Sequence, residues 1–232
     1  MLKFRGLRDE EWRHIQKLEL CPSITSYDAY ALGVVVGEAE ARLTVVSEAS
    51  DVPDLEYIQR IHRQFFQFVH PWAGQLNEPG DDIWFGGMLS ASPTFVRAEI
   101  EQLVVYTRRI IGESTVESKA RAIAYYHAKF ERIHPFKDGN GRVGRLLMES
   151  QAIALFGLPE MGKDYSLSEY FRALKRAQRQ NNLRTMMNLV LRFAGQPELP
   201  IVHDPSPFPM RLLFKGPRDQ EIARRRAAKN RN

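Results

Sequence analysis

Between His134 and Arg145 the chain reads His-Pro-Phe-Lys-Asp-Gly-Asn-Gly-Arg-Val-Gly-Arg, and each chemically active side chain in it has a use on a nucleoside triphosphate. The imidazole of His134, with an ordinary pKa of about 6.5, can take a proton from an attacking hydroxyl near neutral pH. Asp138 is the lone carboxylate of the segment, and a single carboxylate beside phosphates is a common way to hold Mg²⁺, which keeps water and phosphate oxygens as its other ligands. Gly139, Asn140 and Gly141 form a turn whose backbone can adopt conformations that most side chains forbid. Successive N–H groups there can aim into one concavity, and a following helix adds its positive end. Arg142 and Arg145, three apart, fall on one helix face and can grip phosphate oxygens with a planar fork that lysine lacks. Base, metal ligand, anion nest and clamp are thus adjacent in sequence.

The elements that must position these groups read as helices. Trp12, Ile15 and Leu18 suggest a short first helix, while Tyr30 to Val36 is ambiguous, because Val34-Val35-Val36 also suits a strand. Asp51-Val-Pro-Asp54 is a helix entry, followed by Ile58, Ile61, Phe65 and Phe68 at three- and four-residue steps toward a stop near His70-Pro71. From Trp72 to Gly87 the helical rhythm breaks. Pro79-Gly80 sits between short candidate strands there, which predicts a small hairpin. Ser92-Pro93 restarts a helix through Val96, Ile100 and Leu103. Ser114-Thr-Val-Glu117 and Ser166-Leu-Ser-Glu169 read as capping boxes ahead of two more. Val143, Leu146, Leu147 and Ile153 mark a helix stopped by Gly157 and Pro159. Leu183, Met186, Val190 and Phe193 mark the last, stopped by Gly195. Met186-Met187 reads as core.

The pattern His134-x-Phe136-x-Asp138-Gly139-Asn140-Gly141-Arg142-x-x-Arg145 resembles the Fic-family signature at all eight defined positions. Tyr126 to Ile133 upstream, Leu146-Leu-Met downstream and the candidate hairpin at 72–87 also look like Fic, and the likeness extends over roughly residues 54 to 194. The resemblance implies an all-α, Fic-type helical domain with a small β-hairpin flap over residues 1–200, with N-terminal helices in 1–50 and a basic tail from 201 to 232. It further implies a protein adenylyltransferase. His134 would be the general base that deprotonates a Tyr, Thr or Ser hydroxyl for in-line attack on the α-phosphate of ATP, with pyrophosphate leaving. Asp138 would be the Mg²⁺ ligand, and Gly139, Asn140 and Gly141 the anion hole. Arg142 and Arg145 would be phosphate contacts and Phe136 the buried anchor of the loop. A target protein would dock on the 72–87 flap by strand addition. Transfer of UMP or removal of AMP on the same scaffold is the alternative.

Many Fic proteins restrain themselves with Ser or Thr, three residues, Glu, then Gly or Asn. No Glu-Gly or Glu-Asn pair occurs in this chain, and the nearest match, Thr44-Val-Val-Ser-Glu48-Ala49, has Ala at the last position. The resemblance therefore implies restraint by a separate small antitoxin, as in a bacterial toxin–antitoxin pair, or an effector with none.

The composition adds limits. One cysteine, Cys21, excludes an intrachain disulfide and fits a reducing compartment. No stretch is apolar enough to read as a signal peptide or membrane span, so the expectation is a protein of the bacterial cytoplasm, or of host cytosol if secreted. The net charge of +5 sits in the tail: from Met210 onward eight Lys or Arg face only Asp219 and Glu221, leaving the body near −1. A basic tail without aromatic platforms is a poor case for nucleic-acid binding, which stands as the alternative of another class. His127, seven residues before His134, reads as packing or polar lining; His14, His62, His70 and His203 read as structural or surface. Trp84 and Phe85 suit either target contact or anchoring of the hairpin.

Overall fold

The computed structural model describes residues 12, 13, 15–79, 84, 85, 88–158 and 166–200. His14, Pro79-Gly80's second residue, His203 and the basic tail lie outside them. Among the described residues the architecture is all-helical in substance: α1 (Tyr27–Ser47), α2 (Leu55–Phe66), α3 (Val96–Ile111), α4 (Val116–Ile133), α5 (Asn140–Phe156), α6 (Leu167–Gln180) and α7 (Arg184–Phe193). No helix among them is long and apolar enough to cross a membrane.

Local chemistry sets most of the helix starts. Ser26 caps α1 by accepting from the Ala29 N–H at 3.2 Å, and Asp54 caps α2 by accepting from Tyr57 at 2.9 Å. The capping box of α4 lies one residue later than Ser114-Glu117 suggested. Thr115 accepts from the Ser118 N–H, and Ser118 Oγ accepts from the Thr115 N–H, both at 2.9 Å. Ser114 has a positive φ of 54°, and Glu117 turns instead to Arg121. At α6 only half a box forms: Ser166 caps the Glu169 N–H, while the Glu169 carboxylate pairs with Arg192.

The ambiguous Val34-Val35-Val36 run is helix, carried inside α1. Packing of the helix as a whole along α2 and α5 carries the run, since Val35 and Val36 are themselves exposed. A Cβ on Gly37 would run into the Phe65 carbonyl, so glycine marks the closest approach of α1 to α2. Phe68, expected on the α2 face, lies past the helix end and is 38% exposed.

The 72–87 segment differs from expectation. Residues 71–74 form turns, with Trp72 buried and stacked on His70 at 4.3 Å between ring centroids. The strand pairing described is a two-residue antiparallel ladder, Trp84 opposite Leu89 and Phe85 opposite Met88. A hairpin of the expected extent, turning at Pro79-Gly80, is not seen among the described residues, because the segment up to Asn77 is committed to the core instead.

Helix α4 runs through the middle, with α3, α5, α6 and α7 packed on it. Ile123, Tyr126, Phe130 and Ile133 are fully buried along it, and Lys129 and Glu99 form a buried ion pair at 3.0 Å that ties α4 to α3. Met186 and Met187 are core, as expected. The segment from His134 to Arg145 therefore leaves the most enclosed helix of the fold and enters its neighbour α5.

Candidate active site

His134 is the C-cap of α4, with left-handed φ 55° and ψ 61°. A non-glycine residue there is strained by about 1–2 kcal/mol, and the surroundings hold it in place. Its N–H closes the helix onto Phe130 at 2.9 Å. Three consecutive carbonyls then accept hydrogen bonds from the segment that flanks the ladder: Ile133 from the Ala91 N–H at 3.1 Å, His134 from Asn77 Nδ2 at 2.9 Å, and Pro135 from the Asn77 N–H at 2.9 Å.

The His134 ring is oriented from its own helix. A carbonyl can only accept, so the 3.2 Å contact between Nδ1 and the Glu131 oxygen places the proton on Nδ1 and, in the neutral ring, a lone pair on Nε2. Burial pushes the imidazole down to about 4, against the opposing pull of the Glu131 carbonyl and the Asp138 charge. The ring is thus neutral, and able to accept a proton, across the physiological range.

Beyond it the loop is latched from below. Phe136 is fully buried and stacks on His62 with centroids 3.8 Å apart. The side chain of Asn140 accepts from the Phe136 N–H at 3.0 Å and donates to the Phe136 carbonyl at 2.8 Å. Asn140 is 1% exposed, so its amide closes the loop, and only its backbone N–H remains for an anion. Gly139 has φ 78°, and any Cβ there would enter the Phe66 ring. That position admits glycine alone.

His62 is the residue under the whole turn. Its Nδ1 accepts from the Gly74 N–H at 2.8 Å, which leaves Nε2 to donate to the Asp138 carbonyl at 3.1 Å. Burial holds its ring down at about 3, so this bridging tautomer persists at any working pH.

The charged groups sit above. Asp138 and Arg142 form an ion pair at 2.7 Å, with both side chains about one-third exposed. Burial pushes the Asp138 carboxyl up, but Arg142 and the Gly139 N–H more than offset it, so the group lies below its ordinary value and stays ionised. The Arg142 guanidinium also lies over the Phe66 ring, 4.5 Å from its centroid. Arg145 differs: it lies over the Tyr170 ring at 5.6 Å, and among the described residues it makes no hydrogen bond or ion pair. Glu48 reaches neither arginine. It pairs with Arg60 at 2.7 Å on the surface.

The Fic/DOC family model matches residues 52–152, which spans α2 to most of α5 and includes every group above except Glu48 and Tyr170. These residues are a Fic/DOC domain. The curated relatives of this Fic domain include the "Probable protein adenylyltransferase y4lH" of Sinorhizobium fredii, 30% identical over 95 residues (38% of this chain, 47% of that protein). Another is the "Probable protein adenylyltransferase Fic" of Escherichia coli, 30% identical over 105 residues (44% and 51%). The chain spans about half the length of these two relatives. Among solved structures it is similar in fold to BepC, a VirB-translocated effector of Bartonella tribocorum with bound AMPPNP. That match has TM-score 0.59 and 19% identity, over 72% of this chain and 86% of that one. It is also similar to the N-terminal Fic domain of a VirB-translocated effector of Bartonella quintana with bound ADP, with TM-score 0.59 and 20% identity, over 76% and 89%.

All the site residues expected from the Fic signature come together on one loop and one helix turn. The supports under them were not evident. His62 and Asn77 are 72 and 57 positions before His134, with no spacing to connect them to it. Glu131 and His127 did carry a signal, since residues 127, 131 and 134 share one face of α4.

Proposed function

We propose that this Fic domain transfers AMP from ATP to a hydroxyl of a protein side chain. The observation that carries the reading is the His134 ring, held with its Nδ1 proton on the Glu131 carbonyl and Nε2 basic, beside a glycine turn and two arginines. In the transfer, His134 Nε2 takes the proton of a Tyr, Thr or Ser hydroxyl as its oxygen bonds to the α-phosphorus of ATP. The bond to the β-phosphate oxygen breaks and pyrophosphate departs. The backbone of Gly139 to Gly141 lies at the N-terminus of α5, where N–H groups and the helix dipole favour phosphate oxygens. Arg142 and Arg145 clamp the outer phosphates. The relatives named as adenylyltransferases, and the related structures holding AMPPNP and ADP, support the same donor.

Mg²⁺ fits this donor set in one way. No group of three or more His, Cys, Asp or Glu among the described residues could hold a metal alone, so Asp138 would be its single protein ligand and the phosphates would supply others. Bound there, it would neutralise charge on the phosphates. Asp138 suits the task because it is held ionised.

The target would dock by strand addition beside the Trp84–Phe85 and Met88–Leu89 ladder, as part of the 72–87 flap. Asn77 and Ala91, on either side of that ladder, are bonded to the loop that carries His134, which supports a route from docking to the base. The catalytic unit would extend over 54–194 within a domain ending near 200, followed by the basic tail. Its restraint would come from a separate antitoxin in the bacterial cytoplasm, or be absent in an effector delivered to host cytosol. The Glu48–Arg60 pair supports that view, since the one candidate inhibitory glutamate is turned away from the clamp.

The test is incubation of the protein with lysate, Mg²⁺ and ATP labelled on the α-phosphate. Label on a lysate protein is expected, falling by about 10²–10⁴-fold with His134→Ala. Label that arrives only from the γ-phosphate would replace this reaction with another.

A further inference from the structure

A buried acid lies directly beneath the second arginine. Glu131 is 5% exposed, and its Oε1 has no hydrogen-bond partner. A Cβ on Gly144 would run into that oxygen, and one on Gly141 would be 3.9 Å from it and 3.6 Å from Arg145 Nη1. The carboxyl therefore faces the first turn of α5 from below, while the guanidinium of Arg145 lies on the same turn. The backbone carbonyl of Glu131 meanwhile holds His134 Nδ1. One residue touches the base with its main chain and faces the clamp with its side chain.

The hydrogen bonds around it have a direction. The Gly144 carbonyl only accepts, so His127 Nδ1, 3.0 Å away, carries a proton. In the neutral ring His127 Nε2 is then an acceptor, and the Tyr170 hydroxyl at 2.8 Å must donate to it. Tyr170 is also hydrogen-bonded to the Glu131 side chain, and with its own proton spent it can only accept there. The chain Glu131 to Tyr170 to His127 to the Gly144 carbonyl closes only when Glu131 carries a proton. Removing that proton leaves a buried carboxylate whose nearby cation is Arg145, which makes no hydrogen bond or ion pair among the described residues.

We propose that Glu131 is a positioning residue that sets the strength of the phosphate clamp. With its carboxyl neutral, Arg145 presents its full charge to the nucleotide, and with its carboxyl ionised, Arg145 is partly neutralised and drawn inward. This rests on the reading of Arg145 as a clamp on ATP. The groups that face the carboxyl are Arg145 from α5, Tyr170 from α6 and His127 from its own helix, whose Nε2 is 4.0 Å from Oε1. Lys129 and Glu99, between α3 and α4, neutralise each other, and on α7 Arg184 and Arg192 are paired with Glu117 and Glu169. Burial raises the Glu131 carboxyl to about 7 despite the Arg145 charge, while burial lowers His127 to about 4, so the neutral pair coexists just below neutrality.

The sign follows from these values. Below about pH 7 Glu131 is neutral and the nucleotide binds to an uncompensated Arg145. Above it, affinity falls. The test is calorimetric titration of the full chain with Mg²⁺ and the α,β-methylene analogue of ATP at about pH 6 and about pH 8.5, on either side of that value. Glu131→Gln keeps the shape and a hydrogen bond to Tyr170 but cannot ionise. It is expected to bind as the wild type does at the lower pH and about tenfold more tightly at the higher one. Titration of the terminal phosphate is common to both proteins and cancels in that ratio. A ratio that does not change with pH, or weaker binding by Glu131→Gln at both, overturns the proposal. Tyr170→Phe removes the hydroxyl that accepts the Glu131 proton, so it should move the wild-type crossover to lower pH. An unmoved crossover overturns the proposal even if the glutamine variant does not fold. Arg145→Ala separates the two readings: unchanged affinity at both pH values sinks the clamp itself, whereas a loss at both with a pH-independent Glu131→Gln ratio sinks only the role of Glu131.

Discussion

Arg142 and Arg145 are three residues apart on one helix, yet their settings are opposite. Arg142 is engaged before any ligand arrives, ion-paired to Asp138 at 2.7 Å and laid over Phe66. Beneath it the loop is fully satisfied: His62 bridges Gly74 and Asp138, and Asn140 is bonded both ways to Phe136. Arg145 has an aromatic face and, among the described residues, no hydrogen bond or ion pair, and beneath it Glu131 keeps one oxygen without a partner. Rigid placement and adjustable charge are thus divided between two ends of one motif. In the proposed transfer the base and the metal ligand would need fixed geometry, whereas a clamp on the outer phosphates would also have to release them.

The largest effect that probes this contrast is the response of stability to acid. His62, His127 and His134 are buried neutral, with values of about 3, 4 and 4, and His70 is lowered in the same sense. Between about pH 6.5 and 4 the unfolded chain therefore binds more protons at these sites, and stability falls as pH falls. Glu131, raised to about 7, acts the other way: between about 4.5 and 7 the folded state holds the extra proton. The imidazoles outnumber the carboxyl, so unfolding free energy should drop by about 1.4 kcal/mol or more per pH unit in that window. A thermal midpoint that rises on acidification would show that the footing of the loop is not buried neutral.

Next in size is Asp138→Ala, which would make Arg142 as uncommitted as Arg145. Transfer with Mg²⁺ is expected to fall by about 10²–10³-fold, as when one stabilising group is removed from a transition state, while nucleotide affinity in chelator rises. If both fall together, the ion pair helps hold the arginine in place and the contrast is weaker than drawn. Gly139→Ala attacks the rigid end directly. The methyl group meets the Phe66 ring at a positive φ, so destabilisation of about 2–3 kcal/mol is expected from chemical denaturation. Gly141→Ala, whose added carbon would lie 3.6 Å or more from its neighbours, should be much milder. The smallest effect belongs to Glu48→Ala. Loss of an exposed pair with Arg60 should change stability by about 0–1 kcal/mol and leave transfer unchanged. A gain in transfer would instead reveal an inhibitory role for Glu48 in some other arrangement.

Much of the site was legible because its chemistry is contiguous. The run from His134 to Arg145 holds base, carboxylate, glycine turn and arginines within a single turn and helix start, so local geometry alone brings them together. The helix starts at Asp54 and Ser166 were legible for the same reason, since a cap is satisfied within three residues. Where neighbours compete, the reading slipped. Thr115 displaced Ser114 as a cap by one residue, and Val34-Val35-Val36 became helix because its surroundings, not its β-branched side chains, chose the conformation. The flap reading failed in its extent because Trp72 and Asn77 found partners in the core that no pattern of turn residues announces.

The amino-acid sequence by itself determined which groups could act: a base, a carboxylate, a nest and two arginines, in an order and spacing that belong to Fic domains. Tertiary structure alone decided their states. His62 and Asn77 reach the loop from positions far away in the chain, and burial, not residue type, makes His134 neutral and Glu131 half-protonated near neutral pH. The reason is that protonation and tautomer depend on the dielectric and the partners within a few ångströms, and those are set only when distant segments pack together.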